Sequence, residues 1–128
     1  MSVPISNEPG ALSKVTLALA EGGVQVDGVN LIPRGDRGMA NFLVRDGEQC
    51  LKALQTAGFS GEVADVHVLT LSNDRGALAD VTQRLARAGV NIEGVFGTTY
   101  GSAGNLAIVT DDNATARKVL DALSTDIV

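Results

Sequence analysis

The stretch NEPGALSKVTLALAEGGVQVDGV, residues 7–29, returns as NDRGALADVTQRLARAGVNIEGV, residues 73–95. At this offset of 66, 12 of the 23 positions are identical. They are Asn7/Asn73, Gly10/Gly76, Ala11/Ala77, Leu12/Leu78, Val15/Val81, Thr16/Thr82, Leu19/Leu85, Ala20/Ala86, Gly23/Gly89, Val24/Val90, Gly28/Gly94 and Val29/Val95. Glu8/Asp74, Val26/Ile92 and Asp27/Glu93 are conservative changes, and further on the same offset pairs Gly35 with Gly101, Gly38 with Gly104, Phe42 with Ile108 and Leu54 with Leu120. Self-similarity at a fixed offset marks a tandem duplication. The 128 residues therefore divide into two copies, 1–65 and 66–128. Each is near the smallest size that holds a core alone, so the copies are expected to lean on each other.

Apolar spacing gives each copy the order strand, helix, strand, strand, helix, strand. In the second copy the β-branched run 66–72 reads as a strand, and the Ser, Asn and Asp that end it offer N-caps to a following helix. Ala77, Leu78, Val81, Leu85 and Ala88 recur at helical spacing, and Gly89 stands where a left-handed residue closes a helix. Residues 90–99 and 105–110 read as hairpin strands about a turn at 101–104. Asp111, Asp112 and Asn113 then offer caps to a helix bearing Ala116, Val119, Leu120 and Leu123. The first copy follows, with helices at 11–21 and 48–57 and a hairpin turn at 35–38. This βαββαβ order is the ferredoxin-like plan, an α+β fold whose antiparallel sheet carries its helices on one face.

Two places depart from it. Pro4 falls in the opening strand, where it lacks a ladder donor. After Leu123 only five residues remain, so the last strand of the second copy shrinks to 126–128, whereas the first copy has a full candidate at 59–66. Val66 and Val68 lie opposite in phase to Leu69 and Leu71, which makes that strand apolar on both faces, so its second face is expected to meet the other copy or another subunit. With the exposed edge left by the short last strand, this predicts a homodimer.

Composition narrows the functions. A formal net charge of −5, a pI near 4.6 and only four aromatics (Phe42, Phe59, Phe96 and Tyr100) provide neither the basic stripe nor the stacking platforms that nucleic acids need. One cysteine, Cys50, precludes an intramolecular disulfide and Cys-rich metal sites, and on an amphipathic helix it reads as a small buried hydrophobe. The lone histidine, His67, has no partner at motif spacing. No signal-peptide pattern or apolar run long enough to span a bilayer is present, so a cytoplasmic chain without membrane contact is expected. Arg34-Gly35-Asp36 is explained by a hairpin turn. Asp111-Asp112-Asn113 lacks the glycine and glutamate of a calcium loop. No nucleophile, base and orienting group stand together, so no enzymatic activity, cofactor or metal is expected.

The loops between the first strand and first helix carry the chemistry. They read Asn7-Glu8-Pro9-Gly10-Ala11-Leu12 and Asn73-Asp74-Arg75-Gly76-Ala77-Leu78. Glycine at the first helical turn lets a ligand approach backbone N–H groups that have no helical partner, and these suit a small anion such as a carboxylate. The preceding asparagine offers both donor and acceptor. A second constellation, Gly23-Val24-Gln25-Val26 and Gly89-Val90-Asn91-Ile92, sets one polar residue among apolar ones where the chain leaves the helix. Taken singly, each such residue is more simply an ordinary helix cap. Capping alone asks for neither Asn91 nor the loop glycine in both copies.

The pattern Asn-x-Pro-Gly-Ala-Leu, a helix, and then Gly-Val-Asn-Ile resembles the ACT domain, and the resemblance covers nearly the whole chain, twice. It implies the βαββαβ fold and a regulatory module that binds a small ligand, most often an amino acid, at interfaces between paired domains. By position, Asn7 and Asn73 fall on the loop asparagine, Gly10 and Gly76 on the loop glycine, and Asn91 on the polar residue opening the second strand. Arg75 replaces the loop proline in copy two and Gln25 the asparagine in copy one, so each copy keeps part of the motif. The implied ligand-binding set is Asn7, Pro9, Gly10, Ala11, Leu12, Gln25 and Val26 with Asn73, Asp74, Gly76, Ala77, Leu78, Asn91 and Ile92. The expected function is a non-catalytic amino-acid sensor with a regulated enzyme as partner. The alternative is a regulatory subunit or assembly module whose site is degenerate.

Overall fold

Val3 and Ile5, set alternately among Ser2, Pro4 and Ser6, make β1 (Ser2–Ser6) a strand with one buried face. In the computed structural model, which describes the backbone of residues 1–100 and 103–127 and the side chains of 1–98 and 104–123, this strand opens the first of two units, Met1–Ala64 and Asp65–Val128. Helix α1 (Ala11–Glu21) buries Ala11, Val15, Ala18 and Leu19, the 3–4 spacing of a single helical face. Strands β2 (Val26–Arg34) and β3 (Arg37–Val44) form a hairpin closed by Gly35 and Asp36. Gly38 lies inside β3, so the expected turn at 35–38 is two residues shorter. Helix α2 (Gly47–Thr56) starts at Asp46, whose Oδ1 accepts the Gln49 N–H at 3.1 Å.

The second unit repeats the order with β4 (His67–Ser72), α3 (Ala77–Arg87), β5 (Ile92–Tyr100), β6 (Ala103–Thr110) and α4 (Asn113–Ile127). Asp112 caps α4 by accepting the Thr115 hydroxyl at 2.7 Å and the Thr115 N–H at 3.0 Å, and these bonds hold its carboxyl below the ordinary carboxylate range. Both sheets are antiparallel and three-stranded, ordered β1-β3-β2 and β4-β6-β5. The elements follow the plan of two ferredoxin-like βαββαβ units of the α+β class, with three strands in each sheet among the described residues. Each unit has its own core: Val3, Ile5, Phe42, Val15, Leu19 and Leu54 meet in the first, and Leu69, Leu71, Ile108, Val81, Leu85 and Leu120 in the second. Helix and strand residues share each cluster, so the helices cover one sheet face. Cys50 is fully buried in the first core, and burial pushes its thiol up.

The strand expected at 59–66 is reduced to one bridge, Ser2 with Glu62, made by two bonds of 2.9 Å. Pro4 supplies the reason. Met1 and Asn7 bond to the β3 side, at Phe42 and Asp36, so the even residues Ser2 and Pro4 direct their main-chain groups to the outer edge. Ser2 can pair there, whereas Pro4, one repeat on, has no N–H to give. The strand expected at 126–128 is corrected too: Asp126 and Ile127 continue α4, and Val128 lies outside the described residues. The turn expected at 101–104 falls partly outside them as well, with Gly104 in β6.

Candidate functional site

The loop glycines make tight turns. Ala11 N–H donates to Glu8 O at 3.2 Å and Ala77 N–H to Asp74 O at 3.2 Å. Gly10 has φ 87° and ψ −10°, Gly76 φ 89° and ψ −6°. A four-residue turn with these angles at its third position is type II, which requires positive φ there and favours proline before it. Pro9 fills that place in the first unit. Arg75 fills it in the second, where only an ordinary negative φ is needed, so this departure leaves the turn intact.

No side chain caps either helix. Gly10 and Gly76 are themselves the N-caps, without a side-chain bond, which corrects the expectation that Ser, Asn or Asp would cap α3. Asn7 instead donates its Nδ2 to Gly35 O at 2.9 Å and its N–H to Asp36 O at 2.8 Å, tying the loop to the tip of the β2–β3 hairpin. The first i→i−4 bonds are Lys14 N–H to Gly10 O and Asp80 N–H to Gly76 O, at 3.1 and 2.9 Å. The N–H groups of Leu12 and Leu78 precede them at the positive end of each helix. Loop residues 7–10 and 73–76 are exposed, and a Cβ built on Gly10 or Gly76 meets nothing within 4 Å.

The second constellation lies at the other end of each helix. Gln25 and Asn91 are exposed, while Val26 and Ile92 begin β2 and β5 and pack onto the two cores. Both strands carry a register shift just after these residues. The Asn91 main chain is gripped by Asp111, whose Oδ1 accepts the Asn91 N–H at 2.9 Å and whose N–H donates to Asn91 O at 3.1 Å. At the corresponding place in the first unit Arg45 pairs with Asp27 at 3.0 Å. Helix α3, 11 residues and so about 16 Å long, separates Gly76 from Asn91. A ligand the size of an amino acid cannot touch both within one unit.

What the loop of the second unit does border is a cleft of about 440 Å³. Asn73, Asp74, Ala77 and Leu78 form its rim, and Leu71, Val95, Phe96, Gly97, Gly104 and Leu106 of the sheet form its walls. None of these sheet residues was among the ligand-binding residues expected from the sequence. The signal was present at the 66-residue offset, where Gly97 stands against Leu31. Leu78 is 54% exposed on this rim, whereas Leu12 packs against the first core. A second hollow, of about 450 Å³ between α1 and α2, is lined in part by Gln49, whose Nε2 donates to Gly22 O and Gly23 O at the end of α1. Among the described residues no cluster of three His, Cys, Asp or Glu side chains is placed to hold a metal. No helix among them is long and apolar enough to cross a membrane.

Two repeated ferredoxin-like units, each entering its first helix through a glycine turn, define a regulatory-type fold with an open cleft in its second half. The chain belongs to the ACT domain pair family, which it matches over residues 1–127. It is similar to protein BT0572 from Bacteroides thetaiotaomicron, at 27% identity and a TM-score of 0.84, with 94% of this chain and 84% of that one covered. It is also similar to the regulatory subunit of aspartate kinase from Thermus flavus, at 26% identity and a TM-score of 0.61 (95% and 91% covered). The regulatory subunit of aspartate kinase from Thermus thermophilus shares the fold at 23% identity and a TM-score of 0.68 (94% and 90% covered). No curated protein matches the sequence.

Proposed function

We propose that this chain is a non-catalytic cytoplasmic sensor: it binds a free amino acid and passes its occupancy to an enzyme partner. Residues 1–65 and 66–128 each act as one ACT domain. The observation that carries this reading is the type II turn built twice at Gly10 and Gly76, which leaves first-turn N–H groups open to a carboxylate. Asp74 on the same rim is an acceptor for the amine. Because Gly76 and Asn91 lie at opposite ends of α3, a site using both draws them from two different ACT units. Binding then favours whichever arrangement brings those units together, and regulation equals the difference in affinity between arrangements. The likeness to the Thermus flavus subunit supports an enzyme as the partner.

A thermal-shift screen of the full chain against the twenty amino acids tests the reading, with at least one ligand expected to raise the melting temperature. For that ligand Asn91→Ala is expected to weaken binding by about 1–3 kcal/mol. Silence across the screen would favour the second reading, an assembly module with a degenerate site, which the substitution Gln25 within the motif supports. A homodimer is also proposed, from the exposed apolar residues Val29 and Ile32 on edge strand β2 and Val95 on edge strand β5. Sedimentation equilibrium at tens of micromolar, the order expected for a modest interface, should give twice the chain mass. A single monomeric species would refute it.

A further inference from the structure

At one facing pair on the helix side of the sheet the two halves place their large residue on different strands. Leu31 of β2 stands opposite Ala40 of β3, and at the equivalent register Gly97 of β5 stands opposite Leu106 of β6. The large residue has changed strands. In the first unit a Cβ on Gly38 would lie 3.3 Å from Leu31 Cδ1, so the leucine side chain covers Gly38. In the second unit the glycine equivalent to Gly38 is Gly104, and no side chain at 97 covers it. The cleft opens there, bordered by both glycines.

From this replacement, and resting on the amino-acid reading above, we infer that the cleft of the second unit receives an aliphatic amino-acid side chain of the size of leucine or methionine. Gly97 sets that specificity, and in the first unit Leu31 stands in the equivalent place. The volume of about 440 Å³ falls in the range of ~300–1,000 Å³ usual for small-ligand sites. Leu71, Val95, Phe96 and Leu106 give the side chain apolar contact, and among the described lining residues, which also include the neutral Ser72, Asn73, Thr98 and Asn105, only Asp74, on the rim, is ionisable. A charged ligand side chain directed inward would lose hydration with no oppositely charged group among the described lining residues to offset it. The zwitterionic head is met at the rim, with N–H groups at the start of α3 for the carboxylate and Asp74 for the ammonium.

Calorimetric titration of the full chain with L-leucine, L-methionine, L-serine and L-aspartate tests the inference. Leucine or methionine is expected to bind once per chain, at least about tenfold more tightly than serine, the discrimination an apolar pocket gives for lost carbons. Gly97→Ala should weaken leucine binding about tenfold or more. A Cβ at this position would also lie 2.9 Å from both Asn105 O and Leu106 Cδ1, so this variant displaces β6 and the Leu106 side chain that borders the cleft, and Val95→Phe is the second blocking variant, on a residue 49% exposed. It should weaken leucine in the same way, whereas Leu31→Ala should leave the affinity unchanged. Serine or aspartate binding as tightly as leucine, no binding of leucine or methionine, or leucine affinity indifferent to both blocking variants would each overturn the inference. Failure of the amino-acid reading itself shows differently, as silence across all twenty in the thermal screen.

Discussion

Gly10 and Gly76 occupy the left-handed region with open space beyond their α-carbons, so replacing either changes backbone energy without a clash. Gly76→Val is expected to lower stability by about 1–3 kcal/mol, the cost of holding a β-branched residue at that φ. Gly76→Asn should recover much of the loss, since asparagine tolerates this conformation. Urea unfolding of the two variants is the measurement, and equal stability of Gly76→Val and the parent would show that the turn re-forms without positive φ. These glycines were legible in the sequence because both copies keep them at the same place. The role of Asn7 was not, because its partner Gly35 lies 28 residues away and spacing along a chain reports only local bonds. Cys50, read as a small hydrophobe, is one, because its helical position faces Leu54 and the sheet rather than water.

Among the elements, α1 runs over the same residues as its apolar periodicity, 11–21, because the burial that fixes a helix face is also what the sequence displays. The last strand of the first unit was misread for the opposite reason. The stretch 59–66 offers room for a strand but does not show which main-chain groups face an available partner, and Pro4 removes the donor on that edge. Pro4→Val is therefore expected to leave the β1–β3 ladder intact and to keep or raise the melting temperature by circular dichroism. A loss above about 1 kcal/mol would mean that the fixed φ of the proline stabilises this strand more than its missing donor weakens the edge. The candidate site divides along the same line. The glycine turns appeared as a repeated motif, while the cleft beside the second of them depends on a cross-strand pair, and register is set by pairing between distant segments.

At the scale of the whole molecule, separate cores in Met1–Ala64 and Asp65–Val128 mean that each half buries its own apolar face, though each is near the lower size limit for independent stability. Expressed alone, each is expected to melt cooperatively but at a lower temperature than the intact chain. Two transitions matching those of the parent would show that the halves gain nothing from being joined. The exchange of large and small residues between Leu31/Ala40 and Gly97/Leu106 also bears on how such a duplicated gene can vary. A crossover that moved β5 into the first half would set Gly97 against Ala40 and leave a hole. The reciprocal product would set Leu31 against Leu106 and overfill the same layer. Each hairpin is thus inherited as a block, and the two halves, though copies of one ancestor, can no longer repair one another strand by strand.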